Sequence, residues 1–399
     1  MSRSPTPLLP IVWLLLSWPL SLAAGEPVTI DVLYLQQQLP AKPVLSNLRP
    51  KPADSGLAGA RQGLADNNTS SRFTGWFYQL TPITSSDPDE LLAASEQWLA
   101  AGNQYIVADL PTATLKALMQ RLTKANQALV FNAGNSDDSL RRDDCRAYLL
   151  HTAPSRAMLA DGLAQFLISK RWNQWLLVVG LQPEDQLFAA ALERSAQRFG
   201  GKWVDRRQWQ TQSDLRRSAQ KEIPRLTQAR DYDVILVADE PGDIGEYLPY
   251  NSWLPRPVAG TQGLTPTAWH WSIEQWGAAQ LQSRFQQLAG RDMNATDYSA
   301  WLAMRALQEA VVRSHSQARE AVYHYLLSEQ FNLSAFKGQG LSFRPWNGQL
   351  RQPIPLVQPN AVVSQSPQEG YLHPVSTLDT LGFDKSEVHC HMNQPVAAG

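Results

Sequence analysis

"PSRAMLADGLAQFLISKRWNQWLLVVG", residues 154–180, opens with Ser155 placed to cap a helix. Leu159, Leu163, Phe166 and Leu167 then form one apolar stripe at helical spacing, before the apolar run Trp175–Gly180. Short runs of that kind suit parallel strands covered on both faces. The unit recurs on either side. "VTIDVLYL" (28–35), "YIVADL" (105–110) and "ALVFNA" (128–133) precede it, and "PTATLKALMQRLTKAN" places Leu115, Leu118, Met119 and Leu122 on one helical stripe. "DQLFAAALERSAQRFGG" and the strand-like "DVILVAD" (233–239) follow it. This alternation predicts α/β layers with parallel sheets and right-handed crossovers. The pattern runs once before about residue 150 and again over about 151–268, so two similar lobes are expected rather than one large sheet. Beyond them, "ATDYSAWLAMRALQEAVVRS" reads as a strong helix, and "GLSFRPWNGQLRQPIPLVQ" as a hairpin turning at Asn347-Gly348. The tail from about Ser366 has no clear periodicity and reads as extended, pinned at a few points.

A chain of 399 residues is long enough for two domains. Its net charge of -1 and charged fraction of 18% argue against a nucleic-acid footprint, which needs clustered Lys and Arg. The first residues have the layout of a secretory signal peptide. Arg3 precedes an apolar stretch over Leu8–Leu20, and the small residues Ala23, Ala24 and Gly25 follow, with cleavage expected after Ala23 or Ala24. Pro10, Ser17 and Pro19 interrupt the apolar run, which argues against a membrane anchor. Export changes the meaning of the two cysteines, Cys145 and Cys390, because disulfides form and persist in the compartments it leads to. Cys390 lies between His389 and His391, so a metal site and a free reactive thiol are the competing readings. A Cys145–Cys390 bridge is the expectation carried forward; it would pin the tail near the junction of the lobes, and no metal site is assigned.

No phosphate loop, dinucleotide fingerprint, nucleophile elbow, HExxH or CxxC occurs, so neither a catalytic residue nor a cofactor is assigned. "SDDSLRRDDCR" (136–146) packs four Asp and three Arg into eleven residues and reads as a solvated loop of compensating charges, with cation or charged-ligand binding as the alternative. In "TQGLTPTAWHWS" (261–272), Trp269, His270 and Trp271 suit the wall of a small-molecule cleft, and equally a packed core with a hydrogen-bonded His. Asn67-Asn68-Thr69 has the form of a glycosylation sequence but is more simply a helix stop. In open α/β sheets a ligand lies beyond the carboxyl ends of the strands. That rule nominates Gln37, Thr112, Asn132 and Asn135 in the first lobe, with Asp109 in the same stretch. In the second lobe it nominates Glu184, Asp239, Glu240 and Gln262, to which Trp269 and His270 are added. Mostly polar and uncharged, this set suits a small polar ligand.

The order of these segments resembles the type I periplasmic substrate-binding proteins of ABC transporters, of the leucine/isoleucine/valine-binding kind. "DSGLAGARQGLADNNTSSRFTGWFYQL" resembles their first helix and second strand, "CRAYLLHTAPSRAMLADGLAQFLISKRWNQWLLVVG" their crossing into the second lobe, "RPVAGTQGL" a late strand and "FKGQGLSFRPWNGQLRQPIPLVQ" the terminal hairpin. "PVLSNLRPKPADSGLAGARQGLADNNT", "AWHW" and "SPQEGYLHPVSTLDTLGFDKSEVHC" are similar to a branch associated with pyrroloquinoline-quinone-dependent alcohol dehydrogenase systems. The resemblance implies two Rossmann-like lobes, residues 27–150 plus about 272–335 and residues 151–271 plus about 336–367, with a tail over 368–399. It also implies a small polar or alcohol-derived ligand, an ABC permease in the inner membrane and, as a further partner, a quinoprotein dehydrogenase. An accessory or sensor role beside that dehydrogenase, without transport, is the alternative. Branched-chain amino-acid binders hold the ligand's charged groups with Ser/Thr hydroxyls in one lobe and an acid in the other. Here "ADLPTATLK" keeps Thr112 and Thr114 but not the usual Gly-rich approach, and Asp239 or Glu240 stands for the acid, so an ordinary amino acid is not the expected ligand.

Overall fold

A computed structural model describes residues 28–40, 51–125, 128–210, 215–371 and 373–392. The expected signal peptide lies outside them. The first lobe opens with β1 (Val28–Gln37), α1 (Leu57–Asn68), α2 (Ser71–Thr74), β2 (Trp76–Ser85) and α3 (Pro88–Ala100). It continues through β3 (Tyr105–Asp109), α4 (Thr112–Ala125), β4 (Leu129–Asn132), α5 (Ser139–Arg142) and β5 (Leu149–His151). The second lobe begins with α6 (Arg156–Ser169), β6 (Gln174–Val179), α7 (Pro183–Phe199) and β7 (Lys202–Gln208). Then come α8 (Leu215–Thr227), β8 (Val234–Ala238), α9 (Leu248–Asn251), β9 (Val258–Gly260) and β10 (Thr265–Pro266). Three late helices follow, α10 (Ala278–Ala289), α11 (Ala295–Ser314) and α12 (Arg319–Leu326). The last strands are β11 (Ser342–Phe343), β12 (Leu350–Arg351), β13 (Ile354–Gln358) and β14 (Ala361–Ser366).

The first sheet has the order β2-β1-β3-β4-β5 and the second β7-β6-β8-β9, with every neighbouring pair parallel. Strands covered on both faces cannot alternate apolar with polar residues, and β1 shows why. Val32 and Tyr34 enter a core with α1 and the late helices, whereas Leu33 and Leu35 enter the opposite core with α3 and α4. In the second lobe, Leu177 and Val179 of β6 face α6 and α7, and Leu176 and Val178 face α8. The expected strands over 28–35, 105–110, 128–133, 175–180 and 233–239 are all present, and Ser155 caps α6 by accepting from the Met158 amide. The sequence reading missed β7, whose "KWVDRRQ" is an edge strand with little buried surface and so lacks an apolar run.

The late helices return to the first sheet. Gly59 of α1 lets α11 approach so closely that a Cβ there would stand 1.8 Å from the Asp297 carbonyl oxygen. Asp66 and Trp301 seal the same contact through a 2.8 Å bond from the indole N–H, and Asn67 is buried, donating to the Met304 carbonyl. On the second lobe β10, β13 and β14 form a small antiparallel sheet, where Ile354 and Ser366 close on Gly162 of α6. The chain turns at Gly348 between β11 and β12, the antiparallel pair of the expected hairpin.

Two expectations are corrected. The tail is not merely extended: it makes 3-10 turns at Thr377–Thr380 and Lys385–Glu387, and Leu378, Leu381 and Phe383 are buried. The 136–146 loop is not a solvated one, because the Arg141 side chain is 1% exposed. Its guanidinium donates to Gln349 Oε1 and to the carbonyls of Asn135, Asp137 and Ala153, acceptors for four of its five N–H donors that sequence cannot display. Cys145 and Cys390 are joined in a disulfide with Cα atoms 5.5 Å apart, and His389 Nδ1 sits 3.0 Å from the Asp143 carboxylate. Among the described residues no His/Cys/Asp/Glu group is arranged to hold a metal ion, and no helix is long and apolar enough to cross a membrane.

Replacing Gly59 by Ala is expected to force α1 and α11 apart and to destabilise the protein by about 1–3 kcal/mol, read as a lower denaturation midpoint in guanidinium. An unchanged midpoint would show that the helices separate freely there.

Candidate functional site between the lobes

The parallel order of both sheets puts the carboxyl ends of β1, β3 and β4 at one edge of the first lobe and those of β6, β8 and β9 at one edge of the second. The two edges meet at the loop after β4. There the Ser136 carbonyl accepts from the Arg156 amide, and the Asp138 carboxylate accepts from the Ala157 amide at 3.0 Å, so a first-lobe loop rests on the N-terminus of α6.

The Thr112 hydroxyl, at the start of α4, donates to Asp137 at 2.7 Å and also accepts from the Asn135 amide group. The Asp137 carboxyl is partly buried, which pushes its pKa up, but hydrogen bonds from Thr112 and Ser139 and the nearby Arg156 outweigh that and hold it low. Asn132 is buried, donating to the Asn135 carbonyl and lying 2.9 Å from His151 Nδ1. Gln37 accepts from the Thr114 hydroxyl. Across the junction, Glu240 is gripped in a two-pronged pair by Arg156, at 2.6 and 2.8 Å. Asp239 is buried and accepts from the amides of Asp243, Ile244 and Gly245. Gln262 braces the same loop by donating to the Asp239 carbonyl. Glu184 lies exposed in the first turn of α7. Trp269 is buried against Tyr298, ring centroids 4.4 Å apart, and so packs within the first lobe. His270 lies beside it, partly buried, 2.7 Å from the Ser272 hydroxyl, with its pKa lowered by burial.

Sequence reasoning gave Arg156 no role, read Asp138 and Arg141 only as members of the charged loop 136–146, and reached Asp185 only as the end of the stretch 182–185 past a strand. Asp185 accepts from the Gln182 and Glu240 amides, and burial, helped by Asp239 and Glu240, pushes its carboxyl up to about 6. The missed signal is the motif Gln182-x-x-Asp185, which forms a capping box at the start of α7. Asp109, in contrast, keeps open capacity. It is part-exposed and accepts only from Gln36 Nε2, at 3.1 Å on Oδ2, and among the described residues its Oδ1 has no hydrogen-bond partner. The fully buried Tyr34 hydroxyl, also without a partner, ends close by: a Cβ on Gly56 would lie 2.3 Å from that hydroxyl and 3.5 Å from Asp109 Oδ2. Gly134 leaves room for Asp109, since a Cβ there would fall 1.7 Å from Oδ1.

Residues 53–246 match the model of a family described as periplasmic binding protein. No curated protein matches the chain in sequence. Among solved structures, a branched chain amino acid ABC transporter periplasmic ligand-binding protein from Burkholderia xenovorans LB400 is similar at 16% identity and a TM-score of 0.72, over 92% of this chain and 100% of its own. An ABC transporter substrate-binding protein from Sphaerobacter thermophilus is similar at 14% identity and a TM-score of 0.71, over 89% and 100%. A solute-binding protein from R. palustris in complex with benzoate is similar at 10% identity and a TM-score of 0.62, over 86% and 98%. The chain therefore has the two-lobed α/β fold of type I periplasmic binding proteins.

Asp138 gives this junction a pH signature. Burial pushes its carboxyl from 3.8 up to about 6 against the pull of the Ala157 amide and of Arg141, Arg156 and Arg194. An acid whose pKa is raised on folding favours the native state below its unfolded pKa, and that contribution is lost as pH rises from about 4 to above 6. Asp138→Asn keeps an acceptor for the Ala157 amide but no longer titrates. It is expected to leave stability unchanged near pH 4 and to raise it by roughly 1–3 kcal/mol at pH 7.5. The difference between variant and wild-type denaturation curves removes the parallel titration of Asp185; a difference that stays flat with pH would contradict the assignment.

Proposed function

We infer that the chain is a periplasmic solute-binding protein of an ABC transporter, which takes a small uncharged or cationic polar molecule between its lobes and presents it to a permease in the inner membrane. The observation that carries this reading is the pair of parallel sheets of like order whose carboxyl edges meet at one junction, the place where α/β folds take ligands.

The charges at the junction narrow the ligand. The Thr112 hydroxyl and the start of α4 already hold the protein's own carboxylate, Asp137, so a ligand carboxylate would meet a like charge there. Glu240 is neutralised by Arg156, and Arg141 is enclosed by carbonyl oxygens and Gln349. Both positive charges are thus already paired with the protein's own oxygens. Asp109 is the group with an acceptor to offer, and its natural counterpart is a hydroxyl or ammonium donor. This supports a donor-rich ligand without a carboxylate, and the segments that resemble the quinoprotein-associated branch support a narrower version in which that ligand is alcohol-derived and a quinoprotein dehydrogenase is a partner. Of the candidates from sequence, Thr112 and Asn135 then serve to shape the loops around Asp109 and Gln262 the loop after β8, with Gln37, Asn132, Asp239 and Trp269 holding the walls from within.

Calorimetric titration tests the reading with short diols, amino alcohols and simple amines against leucine and benzoate. Members of the first group are expected to bind and the carboxylates not to. Asp109→Asn should weaken the binding roughly 10- to 100-fold, the range for a lost hydrogen bond to a charged group. Saturable binding of leucine or benzoate that ignores the Asp109 substitution would refute it.

A further inference from the structure

The tail after β14 touches both lobes within a short run of residues. On the second lobe, Leu381 joins the core under α6 and α7. The Gly382 amide donates to the buried Asp161, and the Gly382 carbonyl accepts from Arg194 and Arg198. Glu387 is the last anchor on this side, 2.7 Å from Arg194. On the first lobe the amides of His389 and Cys390 both donate to the Arg142 carbonyl, Cys390 is bonded to Cys145, and Met392 is buried in the core shared with α1 and α11. Phe383 stands between the lobes, with the Arg194 guanidinium 4.6 Å and the Arg142 guanidinium 5.8 Å from its ring centre.

We propose that residues 378–392 are a tether that sets how far the two lobes swing about their crossings. Between Glu387, fixed to α7, and His389, fixed to α5, only Val388 intervenes, a reach of roughly 7 Å even when fully extended. Any rotation that moves α7 away from α5 by more than that slack must break the Arg194–Glu387 pair or pull against a covalent bond. The disulfide therefore does not simply fasten a loose end. It makes the first-lobe attachment irreversible, so that opening is limited by the ionic attachment on the second lobe. The proposal rests on the lobes moving and not on what they bind.

The test lengthens the tether without cutting either anchor. Inserting Gly-Ser-Gly between Val388 and His389 adds roughly 10 Å of reach. Nitroxide labels on genetically encoded, non-cysteine residues at the exposed Gln120 of α4 and Gln220 of α8 report the separation of the lobes by pulsed electron resonance. In the absence of ligand, the wild-type protein is expected to give one narrow distance distribution, and the insertion to broaden it by several ångströms. Cys390→Ser and Glu387→Gln are expected to broaden it as well. Distributions that superpose for wild type and insertion, with the bridge confirmed by intact mass, overturn the tether. The insertion leaves the core and both anchors in place, so the result stands even where Cys390→Ser fails to fold. Because no ligand is present, that failure would leave the solute-binding reading untouched.

Discussion

Arg141 is the cation on which the junction of the lobes depends. It lies in the short helix α5 between β4 and β5, and its guanidinium is enclosed, gathering carbonyls from the loop after β4 and from Ala153 just past β5, with Gln349 beside β12. Burial lowers its pKa to about 10, far above neutrality, so the charge persists and must be answered by these acceptors. Gln349 in turn donates to the carbonyls of His151, Ala153 and Leu350. Two stretches far apart in sequence, residues 135–153 and 349–350, thus share one buried polar knot, where a half-satisfied group would be costly.

Around that knot lie other buried charges with partners of their own. Lys337 is fully enclosed and donates to Gln352 Oε1 and the Pro353 carbonyl, with the Tyr298 ring 4.9 Å away. Gln352 donates onward to the Thr152 carbonyl, which links the third crossing to the first. Arg344 and Arg351 share Asp379 on the tail. The segments between the lobes are therefore held by directional bonds to backbone, and the lobes by apolar cores, which cannot deform without opening voids.

The fold was legible where physics is local. Apolar runs such as Trp175–Gly180, the helical stripe of α4 and the cap at Ser155 need only neighbours in sequence to declare themselves. The site was legible as a set of loops but not as chemistry. Glu240 is an exposed acid in sequence terms, and only the fold shows that Arg156 already holds it. Asp137 and Asp138 look alike in "SDDSLRRDD", yet the first is held ionised by Thr112 and Ser139 while the second is pushed toward neutrality by burial. The adjacent Trp269 and His270 also diverge, one sealed in the core and one partly open. These differences come from partners tens or hundreds of residues away, which neither composition nor spacing encodes.

The close approach of α1 and α11 has a consequence for how the molecule is made. The face of the first sheet that bears Tyr34, Tyr105 and Phe131 is covered by α1 and by helices encoded after the whole second sheet. During synthesis only α1 is available to that face while residues 156–260 emerge, so the later-encoded sheet has its strands complete before the earlier one has its full cover. The exposed aromatic surface in that interval is the kind that draws chaperones or sticks to other chains. A chain wired this way has reason to remain unfolded until residues 295–314 are available.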